Sequence, residues 1–156
     1  MMSVPKSERN ESAVEFIASA IWIESELCSI VARLPKRFKD TKNKYLCDEG
    51  CNIVNSTIKA NSIFVKDHTT FTMRERFLYS AYVSCDVLFH RLDWLLFDTQ
   101  NRNTPHPEDE HRVVVDNTVC NVNKSRVYNL LELIGKEKTM IKKVADSDRE
   151  RFSQFS

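Results

Sequence analysis

Cys47 and Cys51 stand four residues apart, the spacing that puts two side chains on one face of a helix. Two thiolates so placed could begin a metal site, but no CxxC and no histidine at ligand spacing accompanies them. Buried apolar cysteines are therefore favoured over ligands. His90 follows Cys85 and Asp86 and reads as a core or interface histidine. His106 and His111 lie among Glu108, Asp109 and Glu110, where weak metal capture is open but solvated loop residues are the preferred reading. The chain has no Gly-rich phosphate loop, no nucleophile elbow and no HExxH, and its 2 glycines make the first nearly impossible. The sequence thus predicts no enzyme of a common class, no catalytic residue, no metal and no cofactor.

The cations carry the stronger signal. Residues 33 to 44 hold six Lys/Arg against one Asp, and residues 117 to 143 hold six Lys/Arg against two Glu. Residues 1 to 32 and 98 to 116 each hold five acids against two bases, so the net charge of +1 hides segregated blocks. Lys36, Arg37, Lys39, Lys42 and Lys44 cluster at one end, and Lys124, Arg126, Lys136, Lys138, Lys142 and Lys143 follow along a later segment. Flexible cations on a helical scaffold suit sequence-independent, salt-sensitive phosphate contact; the alternative is an ordinary solvated face.

The elements that must position these groups are helices. With 2 Gly and 4 Pro in 156 residues, turn chemistry is too sparse for a many-stranded sheet. Apolar periodicity predicts a first helix over about 7–34, with Phe16, Ile17, Ala20, Ile21, Leu27, Ile30, Val31 and Leu34 on one face, stopped by Pro35. A second, about 36–65, carries two stripes: Leu46, Ile53 and Phe64, then Cys47, Cys51, Val54, Ile58 and Val65. Gly50 within it costs helix stability and marks a candidate close contact. A third, about 72–97, repeats Leu78, Ala81, Cys85, Leu88, Leu92 and Leu95 at alternating three and four. A fourth, 123–145 or longer, presents Val127, Leu130, Leu131, Ile134, Ile141 and Val144, with Asn123 as N-cap, Val122 and Val127 as a staple, and Lys138 interrupting the stripe.

Residues 98 to 122 have no helical period, exceed the usual loop length of about 12–15 residues, and are either functional or disordered, disorder being preferred. Short turns at Pro35 and at 66 to 71 make consecutive helices antiparallel. The expectation is one all-α domain over residues 1–156, an antiparallel up-down-up-down four-helix bundle with a long acidic loop between helices three and four. The basic turn and the acidic loop then share one end, and the loop could mask the cations until a partner displaces it.

No apolar run reaches the ~18 residues of a membrane span, and the first residues lack the apolar stretch of a secretory signal. A cytoplasmic location with Cys28, Cys47, Cys51, Cys85 and Cys120 reduced is therefore expected. At the helix ends, Thr72 and Glu75 match a capping box. Asn61, near the inner edge of helix two, needs partners if buried, either in a structural network with Arg74 or Arg76 or at a ligand.

A first helix ending in Leu34-Pro35-Lys36, a second ending in Ile58-Lys59-Ala60-Asn61-Ser62-Ile63, a short turn and an Arg-containing third helix together resemble a known four-helix bundle family. That family holds the accessory variability determinant (Avd) proteins of diversity-generating retroelements and the proteins of 23S rRNA intervening sequences. The resemblance covers roughly Glu8 to Phe97 and, more loosely, Asn123 to Phe152. It implies a homopentameric, non-catalytic bundle that binds a reverse transcriptase and its template RNA. By motif position it carries over Leu34, Pro35, Ala60, Asn61, Arg74 and Arg76, in structural roles. The alternative is a protein-interaction or assembly module of a phage or mobile element that binds no nucleic acid.

Overall fold

A computed structural model describes residues 6–34, 44–103 and 124–155, with side chains over 15–34, 44–96 and 124–155. Four helices account for nearly all of them: α1 Lys6–Ala32, α2 Lys44–Ser62, α3 His68–Asn103 and α4 Lys124–Arg151, followed by a 3-10 turn Ser153–Phe155. No strand occurs among the described residues, and no helix there is long and apolar enough to cross a membrane. Each helix packs on two others, α1 on α2 and α4, and α3 on α2 and α4. Contacting residues run in opposite order in two of these pairs. Tyr45 meets Arg91, Asn52 meets Ser84, and Lys59 meets Phe77 between α2 and α3. Arg74 meets Asp148 and Asp86 meets Lys138 between α3 and α4.

The core is built from one seam per helix. Leu78, Ala81, Cys85, Leu88, Leu92 and Leu95 on α3 are all buried, as their spacing predicts. On α1 the seam is Phe16, Ala20, Ile23, Leu27, Ile30 and Leu34; Ile21, expected inside, is exposed, because the alternating three-four step from Ala20 lands on Ile23. On α2 the buried line is Leu46, Gly50, Ile53, Thr57 and Ala60, so the expected apolar stripes are corrected at Cys51, Ile58 and Phe64, all exposed. Small residues on that line let α1 approach. A Cβ on Gly50 would stand 2.7 Å from the Leu27 side chain and 4.0 Å from the Glu24 Cα.

Three helix boundaries differ from their expected places. Helix α2 ends at Ser62 rather than at about 65. Helix α3 begins at His68 rather than 72, because Asp67 is the cap: its carboxylate accepts the Thr70 amide at 2.8 Å, while the Thr70 hydroxyl accepts the Asp67 amide at 3.1 Å. Thr72 is one turn inside, donating to the His68 carbonyl, and Glu75 pairs with Arg149, so they form no capping box. The amide bond from Thr70 holds the Asp67 carboxyl below its ordinary range. At its other end α3 runs through Asn103, so residues 98–103 are helix and not loop. The proposed acidic centre with His106 and His111, the Asn123 cap and Pro35 lie outside the described residues.

Polar ties join the seams. Asn52 donates to Ser80 at 3.2 Å and Ser84 at 2.5 Å, and Ser56 donates to Ser80, a hydroxyl-amide cluster between α2 and α3. Arg74 donates to both oxygens of buried Asp148 on α4 and, at 2.8 Å, to the Ala60 carbonyl at the end of α2, which also accepts the Ile63 amide at 3.3 Å. Asn61, expected in this network, is exposed; the backbone of its neighbour takes the arginine instead. Past α4, Phe152 packs on Phe71 and the Phe155 carbonyl bonds to His68.

One core position departs from hydrophobic patterning. Glu137 is fully buried, and neither carboxyl oxygen has a hydrogen-bond partner. The α4 seam runs Val127, Leu130, Ile134, Glu137, Ile141, so the interruption falls at Glu137 and not at Lys138. Burial pushes the Glu137 carboxyl up to about 7, opposed by the Ser19 hydroxyl of α1, and with it raises the neighbouring Cys85 thiol of α3 to about 12.

Candidate nucleic-acid interface

The cations expected to meet phosphate divide into three groups. Lys36, Arg37, Lys39 and Lys42 lie outside the described residues. Arg126 and Lys138 are engaged within the chain. Arg126 donates to Glu26 at 3.0 and 3.3 Å and to Ser29 at 2.7 Å, tying α4 to α1. Lys138 donates to Asp86 at 2.7 Å with its ammonium 4.9 Å from the Tyr82 ring. That bond holds the Asp86 carboxyl below its ordinary range and raises the Lys138 ammonium. The remaining cations, Lys44, Lys124, Lys136, Lys142 and Lys143, are exposed. Lys136 and Lys143 are seven residues apart, on one outward face of α4 shared with Glu132, Asp146 and Glu150. Charge there is mixed, and the outward lysines form no continuous basic stripe.

Lys142 lies elsewhere, at a groove of about 380 Å³ between α3 and α4. Its floor is Leu78, Ile141 and Ala145; Tyr79 and Tyr82 stand along one side; Arg76, Lys142 and Arg149 supply cations and Glu75 and Asp146 acids. The helical period explains the gathering. On α3, residues 78 and 79 lie three and four residues after 75 and four and three before 82, and on α4 residues 141, 145 and 149 step by four, with 142 and 146 beside them. Each line borders its helix's buried seam, so the groove runs along the outside of the α3–α4 contact.

An apolar floor with the exposed phenol ring of Tyr79, the half-buried ring of Tyr82 and a rim of guanidinium and ammonium groups can seat a flat ring and bind an anion beside it. Tyr79 is 70% exposed, which leaves its ring face available for stacking. Arg149 donates to Glu75 at 3.3 Å, an exposed pair that exchanges readily for a phosphate oxygen. Of the residues singled out from sequence, the groove unites Glu75, Arg76 and Lys142. Tyr79, Tyr82 and Arg149 were missed, although Arg76, Tyr79 and Tyr82 at three-residue steps were readable beside the α3 seam.

The other sites considered from sequence do not assemble. Cys51, expected to be buried, is exposed and accepts a hydrogen bond from Asn55 at 3.4 Å. His90 is exposed, 4.0 Å from Asp86 one turn earlier on α3. Among the described residues no three His, Cys, Asp or Glu side chains are grouped to hold a metal. Compared with protein-family models, curated proteins and solved structures, the chain matches none.

Proposed function

We propose that the chain is a non-catalytic, oligomeric accessory protein of the cytoplasm, similar in role to the Avd proteins, which binds RNA and a reverse transcriptase in a diversity-generating retroelement. The observation that carries the RNA half is the groove in which Tyr79 and Tyr82 stand beside Arg76, Lys142 and Arg149. Successive bases stack on such rings whatever their identity, and the cations follow the backbone. Template handling without base selection needs that chemistry. Contact pairs that run in opposite order between neighbouring helices support the up-down-up-down arrangement, within a single domain.

Self-association, as the homopentamer of the resembling family, is supported by large apolar side chains left outside the core. Trp22 is 58% and Ile21 51% exposed on α1, and Phe64 is 82% exposed beyond α2. The same side chains favour a second reading, an assembly module of a phage or mobile element that binds protein alone.

A gel-shift titration with single-stranded RNA separates the two. The first reading expects micromolar binding at low salt that weakens by an order of magnitude or more between about 50 and 200 mM salt. Charge reversal at Lys142 and Arg149, both on the groove, is expected to abolish it. No shift at low salt would leave the assembly module as the function.

A further inference from the structure

We propose that Cys28 and Cys47 are a redox modification site, a thiol pair that closes reversibly to a disulfide and locks α1 against α2. The two helices come close at Gly50, where a Cβ would sit 4.0 Å from the Glu24 Cα. Contacts along antiparallel neighbours step in opposite directions. One turn from the Glu24–Gly50 approach, Cys28 therefore comes opposite Cys47. The Cys28 sulfur is within interaction range of the Cys47 thiol and, after burial, is the next influence that raises it. A disulfide needs Cα atoms about 4.4–6.8 Å apart, and the close approach of α1 and α2 at Gly50, one turn away, favours such a separation.

The other described cysteines lack this combination. Cys85 is fully buried, and its raised thiol is unreactive. Cys51 is exposed, and its sulfur accepts a hydrogen bond from the Asn55 amide on its own helix. Cys28 is exposed and Cys47 half-buried, which assigns their order of reaction. A small disulfide of the glutathione class reaches Cys28 first. The Cys28 thiolate attacks one of its sulfurs, forming a mixed disulfide and releasing one small thiol. Cys47 then loses its proton to solvent and attacks the Cys28 sulfur, releasing the second small thiol. The protein loses two electrons and two protons, and the small disulfide gains them. Excess reduced thiol reverses both steps, so the state of the pair follows the ambient thiol poise.

The test equilibrates the full chain with glutathione buffers of increasing oxidised fraction, quenches with acid, alkylates and maps cysteines by peptide mass spectrometry. The expected product is a Cys28–Cys47 linked peptide at a mass lower by two hydrogens, formed ahead of any link to Cys51, Cys85 or Cys120. Reduced thiol should reopen it. Cys28→Ser should abolish the link and Cys51→Ser should leave it unchanged. The linked form should also unfold at a higher temperature than the reduced one, because the cross-link restricts the unfolded chain. A glutathione adduct that persists on Cys28, or a first link that uses Cys51, would overturn the proposal.

Discussion

Glu137→Leu is expected to stabilise the protein at pH 8 by about 3 kcal/mol or more, and by much less at pH 4. The buried carboxyl holds its proton to about pH 7, whereas in the unfolded chain it titrates near its ordinary 4.5. Between these values the folded state binds more protons than the unfolded one, so rising pH removes stability. Below about 4.5 both states are protonated and the residue contributes no pH dependence; above about 7 the loss is complete. Ser19 on α1 and Cys85 on α3 act on or feel the Glu137 carboxyl from neighbouring helices, and neither brings a positive charge. Leucine of similar volume removes both the charge and the two unpartnered oxygens. Glu137→Gln separates the two causes, because it removes the ionisation while keeping a buried polar group. Urea melts of the three proteins across pH 4 to 8 measure the effect. A wild-type-to-leucine difference that stays constant with pH would mean that the carboxylate is compensated in the folded state.

Arg74→Ala is expected to cost about 3–5 kcal/mol, because it leaves the nearly buried Asp148 carboxylate without its guanidinium and removes one of the two donors to the Ala60 carbonyl. Three helices lose a common tie at once, so the loss should appear as a lower midpoint of a single transition. The pair is costly to break but need not be costly to replace. Asp148→Leu combined with Arg74→Met should recover most of the stability, since two apolar side chains avoid the desolvation of both charges. If Arg74→Ala alone costs less than about 1 kcal/mol, the pair is solvated and the tie is not structural.

The parts of the fold that apolar periodicity controls were legible. The α3 seam of Leu78 through Leu95 is continuous in sequence and buried without exception. Helix α2 was harder because its inner line is Gly50, Thr57 and Ala60 around two large apolar residues. Small and hydroxylated residues pack there because the approach to α1 is close and Thr57 bonds to the Val54 carbonyl, and hydropathy registers neither cause. Asp67 and Thr72 are both competent caps, and only local backbone geometry chose the first. At the α4 break, Lys138 drew attention because it is charged beside a stripe. The step from Ile134 to Ile141 nevertheless passes through Glu137, while Lys138 reaches sideways to Asp86.

The candidate interface was legible as a list of cations and not as a place. Eleven lysines and arginines were named, and pairing with Glu26 and Asp86 occupies two of them. Lys142 acquires its aromatic neighbours only when α3 and α4 meet, because Tyr79 and Tyr82 come from α3 while Lys142 and Arg149 come from α4. The groove therefore depends on the register of two helices. The Arg74–Asp148 and Asp86–Lys138 ties flank it and set that register.

The most direct measurement of the RNA claim is photo-crosslinking of the full chain to single-stranded RNA that carries 4-thiouridine, followed by mass spectrometric mapping of the modified residues. The account predicts cross-links concentrated on Tyr79 and Tyr82, lost on Lys142→Glu with Arg149→Glu and retained on Lys136→Glu with Lys143→Glu. Cross-links confined to other surfaces, or unaffected by the groove substitutions, would contradict it.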